Sequence, residues 1–72
     1  MKRMPIAARL RVLRKQSGDS LAVVAKDAGL TKPHLWDLEQ GRSCNPGIVI
    51  LKGLARHYRT SVSYIIGETE ER

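Results

Sequence analysis

The chain has 72 residues, with 13 Lys and Arg against 7 Asp and Glu and a formal net charge of +6. It is long enough for one domain with a modest core, and it has no apolar run near the 18 residues of a membrane span, so a soluble protein is predicted. The positive charge favours a polyanionic partner, and nucleic acid is the first candidate. The single cysteine, Cys44, excludes an internal disulfide and indicates a reducing, intracellular compartment.

Two helices are predicted before residue 30. The first opens at Pro5 and ends at Gly18, and Ser20 caps a second that ends at Gly29. The short connection after Gly29 requires the second and third helices to cross steeply, with Ala25 as the small residue at the crossing. The residues at helical spacing are Ile6, Leu10 and Leu13 in the first helix and Leu21, Val24, Ala25 and Ala28 in the second.

A third, sharply bounded helix is predicted over residues 31–41 and has the features of a recognition helix. Thr31 is a good N-cap, Pro33 falls in the first turn, and Gly41 supplies a left-handed stop. At about 100° per residue around the helix, the apolar side is narrow. Most of the helix surface is therefore predicted to face away from the core. Leu35, Leu38 and Glu39 fall on one side, Pro33, Asp37 and Gln40 on the other, and His34 and Trp36 on the flanks.

The rest of the chain predicts two more helices. Asn45-Pro46 starts the fourth, in which Gly53 costs about 1 kcal/mol and either admits a close neighbour or reflects weak selection for stability. Ser61 caps the fifth, which Gly67 ends. The fourth helix carries Ile48, Leu51, Leu54 and Ala55 inward, and the fifth carries Val62, Ile65 and Ile66. The prediction is a single all-α domain over 1–72, with a five-helix core at 6–67 and a solvated acidic tail at 68–72.

The order of small, aliphatic and capping residues resembles one known family. The pattern consists of an alanine in the second helix, a glycine four residues on and two aliphatics three apart in the third, here Ala25, Gly29, Leu35 and Leu38. With the run from Leu38 to Arg42, this resembles the Cro/XRE-type, lambda-repressor-like helix-turn-helix domains across residues 6–67. The resemblance implies a compact all-α fold of five helices that binds DNA.

The resemblance also pairs an arginine of the first helix with the glutamate of the third, here Arg14 and Glu39. Glu39 lies only about 40° around the helix from Leu35, so it points toward the body of the domain and needs a partner. The alternative is a solvated glutamate. The ion pair is the favoured interpretation.

Family members read bases mainly from positions that correspond to Lys32, Pro33 and Asp37. This set is unusual, because Pro33 offers only apolar contact and Asp37 repels phosphates unless it accepts from a cytosine amine. His34 can donate to phosphate or merely flank the helix. Trp36 has two open interpretations, packing against the body or contact with DNA or a partner protein.

Phosphate contacts are expected from helix N-termini and nearby polar or basic side chains. A homodimer is expected through the last helix and the end of the fourth, at Tyr58, Val62 and Tyr64, because that short helix cannot bury every apolar face. The expected phosphate contacts are Ser20, Gln40, Arg42, Ser43 and Asn45.

No catalytic function is predicted, because His34, His57 and Cys44 lack spaced partners, and no metal or cofactor is expected. The preferred function is a repressor that binds a palindromic operator as a dimer, with a regulatory protein as a further possible partner. The alternative is a protein-interaction or antitoxin-like module that keeps the fold without reading DNA. The basic side chains Arg9, Lys32, Arg42 and Lys52 favour DNA.

Overall fold

The computed structural model describes residues 5–42 and 46–70 of the chain. Within these ranges the secondary structure is helical, with no strand, and no helix is both long and apolar enough to cross a membrane. The predicted all-α architecture is confirmed. The helices are α1 (Ile6–Ser17), α2 (Leu21–Ala28), α3 (Lys32–Glu39), α4 (Ile48–Tyr58) and α5 (Val62–Ile65).

Three helices begin at the hydroxyl-bearing residues that the sequence predicts as N-caps. In each, the side-chain oxygen accepts the backbone N–H three residues along, at 3.2 Å for Ser20 and Thr31 and at 3.0 Å for Ser61. Each bond satisfies an amide that has no partner inside its own helix. The starts of α2, α3 and α5 are therefore determined locally.

The turn between α2 and α3 depends on Gly29, whose φ of 82° lies in the left-handed region. The N–H of the next residue donates to the carbonyl of Ala25 at 2.9 Å, which closes α2. Gly41 repeats this arrangement after α3 with a φ of 76°, and the N–H of Arg42 donates to the carbonyl of Asp37 at 2.9 Å. Both predicted stops are confirmed, and they keep α3 short.

The fourth helix begins two residues later than predicted. Pro46 precedes it, Gly47 is its N-cap, and Asn45 lies outside the described residues. The first helical bond runs from the N–H of Leu51 to the carbonyl of Gly47 at 3.0 Å. Ile48 is 55% exposed on the outer side of the first turn, so the prediction that it points inward is wrong.

The core lies between all five helices and is small, as expected for this length. Its large side chains are fully covered leucines and one isoleucine, and Tyr58 closes the core at the end of α4. Around it pack the partly buried Ile6, Leu21, Leu30, Ile50, Val62, Tyr64 and Ile66. The buried apolar residues are Leu10, Leu13, Val24, Ala25, Ala28, Leu35, Leu38, Leu51, Leu54, Ala55, Tyr58 and Ile65.

The contact between α2 and α4 explains Gly53. A Cβ placed on Gly53 would lie 2.5 Å from the carbonyl oxygen of Ala28 and 3.1 Å from its Cα. Real Cβ atoms do not approach backbone that closely, so only glycine fits here. Of the two interpretations of Gly53, the close neighbour is therefore the correct one.

Candidate DNA-binding surface

The N-terminal end of α3 is directed outward by its own cap. Thr31 holds the first turn through its hydrogen bond to the N–H of His34, and Pro33 follows at a position where a missing N–H costs nothing. The side chains of Lys32 and Pro33 are exposed, while that of His34 is partly buried. Two of the predicted base-reading side chains are thus available at the end of a rigid turn.

The inner side of α3 is anchored to the core. Leu35 and Leu38 are fully buried, and Glu39, which follows them, is buried as well. Because these residues occupy one side of the helix, Trp36 and Gln40 lie on the exposed part, with Asp37 partly covered. Trp36 is 44% exposed, which favours the interface interpretation over the packing one.

The predicted pair between Arg14 of α1 and Glu39 is formed. The Nε and Nη2 atoms of Arg14 donate to the two carboxylate oxygens at 2.8 and 3.0 Å, in the two-bond geometry that is strongest for this pair. The hydrogen bond to Glu39 raises the pKa of Arg14 against the opposing effect of its partial burial. The pair ties α1 to the end of α3.

A second arginine of α1 holds the same end of α3. The Nη1 atom of Arg11 donates to the backbone carbonyl of Glu39, one of the last carbonyls of the helix. A cation at this end also interacts favourably with the helix dipole. This contact was not predicted from the sequence, although Arg11 lies three residues before Arg14 and therefore on a neighbouring part of the α1 surface.

Three of the five predicted phosphate contacts lie within the described residues, and all three are exposed. Gln40 and Arg42 are exposed at the end of α3, and Ser20 is exposed at the start of α2, whereas Ser43 and Asn45 lie outside the described residues. The oxygen of Ser20 accepts the cap hydrogen bond, and that bond leaves the hydroxyl proton available for donation. Ser20 can therefore cap α2 and contact an oxyanion at once.

The predicted dimer surface needs one correction. Tyr58 is only 5% exposed, because the end of α4 turns its ring into the core, and burial raises the pKa of its hydroxyl. Its assignment to a dimer interface is therefore wrong. Val62 and Tyr64 are partly buried and retain some accessible surface.

Arg9 also differs from the prediction, which counted it among the cations available to DNA. Its guanidinium carbon lies 4.2 Å from the centre of the Tyr64 ring, and its Nη2 lies 3.6 Å from the Oε1 atom of Glu70. Arg9 is only 3% exposed, since these contacts cover its long side chain. The basic surface is thus smaller than the sequence suggests.

His57 has partners that sequence spacing did not reveal. Its Nδ1 lies 2.6 Å from the Oδ2 atom of Asp27, and its Nε2 lies 2.8 Å from the Oδ2 atom of Asp19. These aspartates stand at the two ends of α2, whereas His57 belongs to α4. The interpretation of His57 as isolated is wrong, because its partners are 30 and 38 residues away along the chain.

Comparison with known proteins agrees with this arrangement. The sequence profile described as a helix-turn-helix domain matches residues 5–63. The chain is 37% identical over 67 residues to the HTH-type transcriptional regulator DdrOP3 of Deinococcus deserti, covering 93% of this chain and 51% of that protein. It is 32% identical over 66 residues to the HTH-type transcriptional regulator SinR of Bacillus subtilis, covering 92% and 60%. The chain thus spans about half to three fifths of the length of these relatives.

Solved structures give the same result. A crystal structure of SinR, the master regulator for biofilm formation, in complex with DNA superposes with a TM-score of 0.79 at 32% identity, covering 83% of this chain and 95% of that one. The P22 c2 repressor, solved with a synthetic operator, superposes with a TM-score of 0.84 at 20% identity, covering 92% and 98%. At that identity the second likeness concerns the fold alone.

The chain belongs to the helix-turn-helix domain family. Within that family it is of the Cro/XRE, lambda-repressor-like type, as the resemblance implied, with α2 and α3 as the helix-turn-helix unit.

Proposed function

We propose that this chain binds double-stranded DNA sequence-specifically and acts as a transcriptional repressor. The observation that carries the proposal is the division of α3 into a buried side and an exposed side. Leu35 and Leu38 fix the helix to the core while Lys32 and Trp36 stay accessible on a chain of net charge +6. The match to SinR, which was solved in complex with DNA, supports the same function.

The proposed contacts divide into readers and clamps. Lys32 donates to guanine or phosphate, Asp37 accepts from a cytosine amine, and Trp36 contributes apolar surface, while Pro33 and His34 flank them. The clamps supply charge and hydrogen bonds without reading sequence. They are Ser20, Gln40, Arg42, Ser43 and Asn45, of which the last two rest on the sequence alone.

Selection from random duplex DNA by the purified protein at about physiological salt tests this function. One motif should be enriched, and the affinity for it should fall by about 0.9 log units per tenfold rise in salt for each phosphate neutralised. Equal affinity for heparin and for every duplex, with no motif enriched, would contradict sequence-specific binding and favour the interaction or antitoxin-like module. The exposed Trp36 would then be the first residue to examine at a protein interface.

Readers and clamps should respond differently to substitution. Asp37→Ala should relax the preference at one base pair, by about 1–3 kcal/mol of discrimination, and it removes a negative charge that faces phosphates. Arg42→Ala should weaken all sequences alike and lower the salt slope by about 1. Parallel selections on both variants check this, and an Asp37→Ala profile identical to the parent at every position would show that Asp37 reads nothing.

We further propose that the DNA-bound form is a homodimer that contacts its mate through Val62 and Tyr64. Both side chains are partly buried on α5, a single turn of helix that cannot cover all of their apolar surface. A two-fold dimer would read inverted half-sites about 10–10.5 base pairs apart. Native mass measurement on selected duplexes should find two chains per site, and one chain on every site would refute the dimer.

A further inference from the structure

The side chain of His57 connects α4 to α2 at two places. Its two ring nitrogens face carboxylate oxygens of Asp27, in the last turn of α2, and of Asp19, which directly precedes the N-cap of α2. The ring is largely buried, with 13% of the side chain exposed. A single group on α4 therefore touches both ends of the first helix of the helix-turn-helix unit.

The geometry fits only one protonation state. A neutral imidazole has one N–H, so one of its nitrogens would direct a lone pair at a carboxylate oxygen less than 3 Å away. An imidazolium donates from both nitrogens and satisfies both carboxylates. We propose that protonated His57 is a pH-dependent tie between α4 and both ends of α2, and that its deprotonation releases one end of α2.

The charged groups around the ring favour the same state. Asp19 and Asp27 supply two negative charges, while Tyr58 contacts the ring edge-on at 5.1 Å between ring centres. Two arginines donate to backbone oxygens of the same aspartates, Arg56 to that of Asp27 at 3.3 Å and Arg14 to that of Asp19 at 3.5 Å. Arg14 is in addition paired with Glu39. The carboxylates of Asp19 and Asp27 therefore act most directly on His57.

The pKa of His57 follows from these contacts. Burial lowers it, but the hydrogen bonds and charges of Asp27 and Asp19 together outweigh burial, so the pKa of His57 is raised above its ordinary value of about 6.5. The folded protein thus holds this proton more tightly than the unfolded chain. The stabilisation is complete below pH of about 6.5 and is lost as the pH rises through the higher pKa of the folded state.

The tie also bears on DNA binding, and this step rests on the proposed function. Asp19 is adjacent to Ser20, the proposed phosphate clamp. Without the imidazolium, the carboxylates of Asp19 and Asp27 at the two ends of α2 lose their compensating charge, and α2 is less firmly held. DNA affinity should therefore fall as His57 loses its proton.

Equilibrium unfolding in urea between pH 5.5 and 8.5 tests the tie. The equilibrium constant for unfolding of the parent should rise with pH. Because one proton is released, this rise cannot exceed tenfold per pH unit. His57→Gln and Asp27→Asn should reduce that rise. His34→Gln is the matched control and should retain it, since the described residues place no carboxylate at the His34 ring. A rise of the same size in His57→Gln as in the parent would overturn the proposal.

A ring titration by NMR needs no substitution, so it remains informative if a variant fails to fold. The midpoint of His57 should be higher in the folded protein than in the urea-unfolded chain, and an equal or lower midpoint would overturn the tie. DNA affinity measured against pH at fixed salt then tests the link to function. If no motif is ever selected, the proposed function fails while the unfolding and NMR results still decide the tie.

Discussion

Two joints fasten the helix-turn-helix unit to the rest of the molecule, and they use different chemistry. α3 is joined to α1 by the pair between Arg14 and Glu39. α2 is joined to α4 by the close backbone contact at Gly53 and by the ring of His57. The first joint relies on an arginine, and the second relies on shape and on a histidine.

The difference determines how each joint responds to its surroundings. An arginine stays protonated at every physiological pH, and here the hydrogen bond that Arg14 donates to Glu39 raises the pKa of Arg14 further. A histidine exchanges its proton near neutrality. The position of α3 should therefore be constant over a pH range in which the hold on α2 changes.

The largest effect is expected from breaking the α1–α3 joint. Glu39→Ala leaves the partly buried guanidinium of Arg14 without its carboxylate, and the expected loss is about 3 kcal/mol. The loss should be similar at pH 6 and pH 8, because Arg14 stays charged throughout. Thermal unfolding followed by circular dichroism measures it, with the exposed Glu68→Ala as a control expected to change stability by less than about 0.5 kcal/mol. An unchanged melting temperature in Glu39→Ala would show that the pair does not hold the joint.

A smaller effect is expected at the α2–α4 joint. Gly53→Ala forces the helices apart, because the new Cβ would meet the carbonyl oxygen of Ala28 at 2.5 Å. The overpacking cost, near the upper end of about 1–3 kcal/mol, is offset by about 1 kcal/mol of helix propensity, which leaves a net loss of about 2 kcal/mol. Urea unfolding measures it.

Gly47→Ala is the matched control for this joint, because a Cβ there meets nothing within 4 Å. Its cost should stay below about 1 kcal/mol, the value of a weaker N-cap. Equal losses in the two variants would mean that the approach of α2 to α4 is not specified at Gly53.

Features that depend on residues close together along the chain were predicted from the sequence, whereas contacts between distant residues mostly were not. Ser20, Thr31 and Ser61 bond to amides three residues away, so their own neighbourhood determines each cap. Gly29 and Gly41 likewise end helices by local backbone geometry. Such features can be read from the residues alone because no distant partner takes part.

Arg14 and Glu39 are 25 residues apart along the chain, and only the family resemblance predicted that they pair with each other. His57 is 30 and 38 residues away from its two partners along the chain, and the family resemblance did not predict these contacts. Its partners depend on how α4 packs against α2, which helical periodicity does not specify. Ile48 shares the helical spacing of the buried residues of α4, but it is the first residue of that helix and is 55% exposed, which the periodicity does not show.

Trp36 is the only tryptophan of the chain, and it lies half-exposed on the outer side of α3. Its intrinsic fluorescence therefore comes from one known place on the surface. A ligand that covers this side of α3 would shield the indole from a dissolved quencher, whereas one bound only at α5 would leave quenching unchanged. Because the indole is already half-exposed in the native state, unfolding should change its emission less than it would for a fully buried tryptophan.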